Sequence, residues 1–230
     1  MTTSTQPASQ QQVIYPESDG KPMADNTKQF RWIVTIQGGL DALFKDDPNV
    51  FVAGDLLWYP VEGDNKTRIA PDVMVVFGRP KGDRGSYQQW REDNIPPSVV
   101  LEVLSPGNRL PEMLNKLRFY ERYGVEEYYM YDPDNEDLAG WLRSEEQLRE
   151  IETMAGWVSP RLGIRFESSD GLEIYRPDGQ KFATYVELEQ QREEAIALAA
   201  QEAQRAEKEA QRADRLAAKL QELGIDADTL

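Results

Sequence analysis

The sequence predicts an α/β fold in which a mixed central β-sheet is flanked by helices and followed by a long C-terminal α-helix. Three observations carry this expectation. Short β-branched and aromatic runs recur between residues 50 and 133 and alternate with stretches of helical period, the pattern of a sheet covered by helices. The composition can supply a core, with 40% apolar residues that include 5 Trp and 10 Tyr, so the chain is not generically disordered. From about Tyr185 the sequence turns to Ala, Glu, Gln, Arg and Lys, without Gly or Pro until Gly224, which sets a helix apart from the body.

Residues 1–20 are rich in Ser, Thr and Gln; burial there cannot offset chain entropy, so a flexible N-terminus is expected. The body spans residues 21–183. Its first helix, about 18 residues long, starts at a cap by Asp25 or Asn26 and carries Phe30, Ile33, Val34, Leu40 and Phe44, with Gly38-Gly39 weakening or bending it. The runs VFVAGDLLWYP (50–60) and RIAPDVMVVFG (68–78) read as strands joined by the EGDNK turn, and residues 79–97 as a long polar loop. SVVLEVLSP (98–106) is a further strand. Asn108 or Pro111 then opens a helix with Leu110, Leu114, Leu117 and Tyr120 on one stripe and Gly124 as its stop. EEYYMYDP (126–133) is the next strand, and LAGWLRS (138–144), QLREIET (147–153) and LEIYRPDG (172–179) add short antiparallel pieces.

Over residues 184–223, AQRAEKE (203–209) and AQRADRL (210–216) repeat at seven residues and place Ala203, Ala206, Ala210, Ala213, Ala217 and Leu220 on one seam. Such a helix runs ~55–60 Å. The seam is small and weakly apolar, equally suited to a homodimer through this helix and to a solvated single helix. Residues 224–230 form a short tail.

The chain has neither Cys nor His. That excludes disulfides, thiolate zinc sites, cysteine nucleophiles, imidazole bases and Ser-His-Asp triads. Catalysis must run on carboxylates, Lys, Tyr, Ser or a metal held by oxygen. The net charge of −15, with both the body and the helix acidic, argues against a general nucleic-acid coat but leaves room for a local basic groove. No run approaches the ~18 apolar residues of a membrane span, and the polar start lacks a signal peptide's basic and apolar regions. A cytoplasmic protein is expected, with no membrane partner.

Two acids interrupt runs that otherwise look fully buried: Asp72 in APDVMVVF and Glu102 in VVLEVLSP. A buried carboxylate must meet a cation, a metal or several donors. Asp72 can simply start its strand after Pro71, and Glu102 can pair with a Lys or Arg. As a pair with a nearby Lys, they form the set needed for metal-assisted phosphodiester hydrolysis. Carboxylates hold Mg²⁺ with its waters, the ion lowers the pKa of a bound water, and an ammonium orients that water or screens developing charge.

PDVMVVF, VVLEVLSPGNR and KLRFYERYGVEEYYMYDP, in that order, resemble the Uma family of putative restriction endonucleases, a branch of the PD-(D/E)XK nuclease superfamily. The resemblance covers roughly residues 20–180. It implies a nuclease-like domain over 21–183 and a metal-dependent endonuclease that hydrolyses DNA phosphodiester bonds with Mg²⁺, or Mn²⁺ in its place. It further implies Asp72 and Glu102 as metal ligands, with the backbone carbonyl of Val103 as a third contact. The superfamily's Lys, two residues after the acid, is Leu104 here, and Lys116 in the following helix is the substitute. Surface exposure is the alternative for Lys116.

Arg79, Lys81 and Arg84, with Tyr87 and Trp90, form a basic and aromatic cluster suited to phosphates and bases, to which Arg109 and Arg118 can add. Asp83, Glu92 and Asp93 in the same loop reduce its attraction, and a solvated flap is equally compatible. Asp55 lines the same cleft or marks a bulge after Gly54. Ser105 closes a turn, as does Asp132. The first helix offers Asn26, Lys28 and Gln29 where the superfamily often places an acid. The alternative function is a catalytically inactive nuclease-fold module that dimerises or docks through its C-terminal helix, favoured by the net charge and by Leu104.

Overall fold

The computed structural model describes residues 13–20, 22–168 and 171–224. The chain divides into two compact units, Met1–Phe182 and Ala183–Leu230. In the first, helix α1 (Thr27–Leu43) leads into strands β1 (Val50–Gly54), β2 (Trp58–Tyr59), β3 (Val73–Phe77), β4 (Tyr87–Gln88) and β5 (Val99–Val103). Helix α2 (Leu110–Arg122) follows, then β6 (Glu127–Asp132), β7 (Asp137–Ser144), β8 (Gln147–Glu150), β9 (Arg165–Glu167) and β10 (Glu173–Tyr175). The second unit contains α3 (Tyr185–Glu222).

A six-stranded mixed sheet in the order β1-β3-β5-β6-β7-β8 forms the centre. The β5–β6 pair is parallel because α2 carries the chain back across; its sheet neighbours are antiparallel. Side-chain alternation along β5 divides the core. Val99, Leu101 and Val103 pack with Ile33, Ile36 and Leu40 of α1, and with Phe166 of β9 and Ile174 of β10. Val100 points to the other face, among Met74, Tyr120 of α2 and Tyr128 of β6. Each fully buried Ile or Leu contributes ~1.5–3 kcal/mol, so α1 is held by its Ile33-Ile36-Leu40 stripe, while Phe30 and Val34 remain substantially exposed. Asn26 caps α1 by accepting from the Gln29 N–H.

The mixed α/β architecture and the long C-terminal helix are those read from the sequence, with differences in detail. The run 50–60 is not one strand. It breaks at Asp55, which adopts φ +48, and β2 leaves the main sheet to pair in parallel with β4. The loop 79–97 therefore contains β4, and Tyr87 is fully buried. The α2 stripe is also shifted. Met113 and Tyr120 are buried, whereas Leu110 is 73% exposed, because Lys116 takes the inward position between them. Gly124, at φ +92, follows the helix where its freedom is needed.

Part of the stretch expected to be flexible is anchored. Tyr15 packs against Tyr59 and Trp90, Tyr59 Oη donates to the Pro16 carbonyl over 2.7 Å, and Asn65 Nδ2 donates to the Ile14 carbonyl. Aromatic anchors, rather than overall hydrophobicity, hold this segment. Residues 1–12 of that expectation and residues 225–230 of the expected tail lie outside the described residues. Helix α3 begins with a capping box between Thr184 and Glu187, and none of its residues is buried. Among the described residues, no helix is long and apolar enough to cross a membrane.

Candidate active site

The antiparallel β3–β5 register pairs Val73 with Leu101. The next rung sets Asp72 opposite Glu102, on the same sheet face as Met74 and Val100. Asp72 Oδ2 accepts from the Val103 N–H over 2.7 Å. Thus Asp72 does finish a backbone ladder, as a strand-starting acid would, yet it also faces Glu102.

Two α2 side chains reach Glu102, which is 2% exposed. Lys116 Nζ donates to its Oε2 over 2.7 Å, and Tyr120 Oη donates to its Oε1. Met113, Lys116 and Tyr120 follow the i, i+3, i+7 spacing of one helix face, so the helix that covers the sheet also delivers an ammonium and a hydroxyl to the acid. Lys116 is thereby placed inward, not on the open surface.

Electrostatics follow from this crowding. Burial, then the neighbouring Glu102 carboxylate, pushes the Asp72 pKa up to about 8, against the opposing pull of Lys116 and the Val103 N–H. Burial works against the Lys116 charge, but Glu102 and Asp72 outweigh it and hold that pKa above the ordinary lysine value. Lys116 is therefore an ammonium at neutral pH. Asp55 is raised by partial burial and by Asp19 and Glu102, which puts it in the field of the same site. Tyr128, behind the pair, is raised well above the ordinary value by burial and by Glu102 and Asp72.

A cleft of about 1010 Å³ opens onto this constellation and is lined by Asp72, Lys116, Asp55, Gln29, Arg68 and Arg109, among others. The first helix contributes Gln29, one of the three residues the sequence offered there in place of an acid. Its Nε2 donates to the Val103 carbonyl over 2.7 Å and its Oε1 accepts from the Asp25 N–H over 2.8 Å. Ser105 Oγ donates to Asp25 Oδ2, and Asn108 Oδ1 accepts from the Ser105 N–H. Ser105 is thus part of a turn lock. Asp132 likewise accepts from Asp134 and Asn135 in its own turn. Tyr120 was visible in the sequence only as part of an apolar stripe; its place one turn beyond Lys116 was the available signal.

The basic cluster divides. Arg109 lies in the cleft lining. Arg79 and Arg84 bind Glu92, at 2.9 and 2.7 Å, and Arg79 also pairs with Asp93. Arg84 further stacks over Phe51 at 3.9 Å. These ion pairs fasten the 79–97 segment to itself, and neither guanidinium is among the cleft-lining groups. Lys81 is exposed, Tyr87 Oη donates to the Ile95 carbonyl and Trp90 packs on Tyr15.

The oxygen donors gathered here are the Asp72 and Glu102 carboxylates and the Val103 carbonyl. Among the described residues, no group of three or more His, Cys, Asp or Glu side chains is placed to hold a metal. A backbone carbonyl would have to complete any protein-derived ion shell.

No curated protein matches the chain. Among solved structures, a putative nuclease of the DUF820 group from Anabaena variabilis is similar at 16% identity, with a TM-score of 0.44, over 63% of this chain and 79% of that one. The family model described as "Uma2: Putative restriction endonuclease" matches residues 18–172, which include both acids, Lys116, Tyr120 and Gln29. With more than half of its length matched and the two strand-borne acids inside the match, the chain belongs to the Uma2 family of putative restriction endonucleases.

Proposed function

We propose that the protein is a divalent-metal-dependent endonuclease that hydrolyses DNA phosphodiester bonds. The observation that carries this reading is the apposition of Asp72 and Glu102 across one rung of the sheet, with the Lys116 ammonium on Glu102 and a cleft beside them. Membership of the family supports it.

The donor set fits Mg²⁺, or Mn²⁺ in its place. All donors are hard oxygens. Burial first, and then repulsion by Glu102, raises Asp72, and the repulsive part is the kind that a divalent charge between two carboxylates relieves. Each Glu102 oxygen and the Val103 carbonyl already accepts one hydrogen bond, yet an sp² oxygen has a second lone pair to offer. Asp72, Glu102 and the Val103 carbonyl would hold the ion. When bound, it supplies Lewis-acid stabilisation of phosphate charge and a lowered pKa for a coordinated water.

The side chains supply the rest. Lys116 stays protonated, so it acts as a donor and not as a base: one ammonium hydrogen is spent on Glu102, and the others can orient the attacking water or meet a phosphate oxygen in the cleft. Tyr120 fixes the opposite Glu102 oxygen. Gln29 fixes the Val103 carbonyl relative to α1. Arg109 adds positive charge at the cleft for the DNA strand.

The test is plasmid conversion in Mg²⁺ by the full-length protein. Wild type is expected to nick or linearise the substrate, whereas Asp72→Ala and Glu102→Ala are inactive; undiminished cleavage by either variant ends the proposal. A second reading, a catalytically silent interaction module, is favoured by one observation: both Glu102 oxygens and the Val103 carbonyl have protein partners without any ion. On that reading no preparation cleaves DNA, and the α3 helix provides the docking or dimerisation arm.

A further inference from the structure

Arg68 is a half-buried cation in the cleft, and the hydrogen-bond partners of its guanidinium among the described residues are neutral. Elsewhere in the domain, Arg79, Arg84, Arg161, Arg165 and Arg176 are each ion-paired to a carboxylate, and Arg143, which is not, spends Nε and Nη2 on backbone carbonyls outside the cleft lining. The Arg68 guanidinium instead donates to Tyr59 Oη over 3.2 Å and to the Asn65 carbonyl over 3.3 Å, and it stands 5.9 Å from the centroid of the Tyr59 ring. Both hydrogen bonds leave from Nη1. The Nε–Nη2 edge, which pairs bidentately with an oxyanion, has no hydrogen-bond acceptor among the described residues.

The local chain braces the backbone that carries this guanidinium. Ile69, next in sequence, exchanges backbone hydrogen bonds with Trp58 in both directions, at 2.7 and 3.2 Å. Trp58 and Tyr59 are fully buried. On the other side, Asp64 Oδ1 accepts from the Lys66 and Thr67 N–H groups and closes the turn that leads into Arg68. A positively charged fork is thus carried on a braced backbone, without an ion pair among the described residues, and set in the same cleft as Lys116 and the Asp19, Asp55 and Asp72 carboxylates.

We propose that Arg68 is a phosphate-contacting residue that grips the nucleic-acid backbone beside the bond to be hydrolysed. The inference rests on the nuclease reading and deepens it: the substrate strand runs past Tyr59 and Arg68, not over the 79–97 segment. The charge offered to it is a bidentate fork, where a surface lysine would offer a mobile point charge.

The experiment is fluorescence anisotropy of a labelled DNA duplex with the full-length protein in EDTA, as a salt series, using wild type, Arg68→Ala and Arg68→Lys. Arg68→Ala is expected to weaken binding by about tenfold or more and to make the slope of log K against log salt shallower by about 1. Arg68→Lys is expected to restore the slope while remaining weaker than wild type, because charge returns without the fork; it also serves if the alanine variant fails to fold. Wild-type binding that Arg68→Ala leaves unchanged in affinity and slope overturns the role of Arg68 but leaves the nuclease reading standing. Weakened binding with an unchanged slope overturns it too, as a purely structural effect. Absence of DNA binding by wild type overturns both.

Discussion

Lys116 donates to Glu102 over 2.7 Å, from the helix that follows the strand to the strand itself. The ammonium thus arrives from outside the sheet, where an apolar Leu104 occupies the place two residues after the acid. Replacing Lys116 by Met keeps the stem's packing and removes the charge. Loss of a positioned, charged hydrogen-bond donor is expected to lower kcat by about 10²–10³-fold, read in the plasmid assay, with the circular dichroism spectrum retained. Near-wild-type turnover in Lys116→Met would remove Lys116 from the chemistry.

Tyr120 is buried completely, and its hydroxyl donates to Glu102. Tyr120→Phe leaves that carboxylate oxygen without its donor in an apolar layer. The expected cost is about 1–3 kcal/mol, seen as a lower urea midpoint with an unchanged m-value. An unaltered midpoint would show that the hydroxyl contributes nothing to holding the acid.

The raised Asp72 pKa gives the ion-free protein a defined pH dependence. With a folded value of about 8 against ~3.9 in an unfolded chain, the native state binds the extra proton between these values. Stability is then fully present below the unfolded pKa and is lost as pH rises through the folded one. Urea midpoints in EDTA should therefore fall from pH 5 to pH 9 more steeply for wild type than for Asp72→Asn. Parallel curves for the two proteins would contradict the raised Asp72 pKa and with it the burial and crowding that cause it.

Gly38 and Gly39 are neighbours in α1 with opposite environments. A Cβ at Gly38 meets nothing within 4 Å, whereas at Gly39 it would lie 2.3 Å from Phe182 Cδ2. Gly38→Ala should stabilise by ~0.5–1 kcal/mol. Gly39→Ala should destabilise by about 1–3 kcal/mol, since the buried Phe182 ring must shift. Thermal melts of the two variants check the signs, and a stabilising Gly39→Ala would refute the close packing.

These residues also show what a sequence can disclose. Asp72 and Glu102 stood out because acids inside apolar runs violate the pattern of a buried strand, and a violation is readable without coordinates. Gly38-Gly39 was readable as a weak point of the helix, but not as a seat for Phe182, because that contact joins distant parts of the chain. The α2 stripe was misread at Leu110 and Leu114 because periodicity assigns apolar residues inward, and here a lysine competes for that side and wins through its bond to Glu102. Gln29 was noticed as a residue standing in place of an acid, but its role was not legible: its partner is the backbone carbonyl of Val103, and backbone groups leave no mark on composition. Arg68 opened a run that read as strand, whereas the strand begins only at Val73, which leaves Arg68 outside the sheet and in the cleft lining. Glu127, buried and satisfied by Tyr129, Ser159 and the Arg161 N–H, lies on the face opposite Glu102 and shows that a buried acid alone does not mark a site.

The most direct test of the two-carboxylate site is calorimetric titration of the full-length protein with Mn²⁺ and Mg²⁺, alongside Asp72→Asn and Glu102→Gln. Uptake of a divalent ion by wild type, abolished or strongly weakened in each variant, is the predicted result. No uptake by wild type, or uptake that both variants retain unchanged, would contradict it.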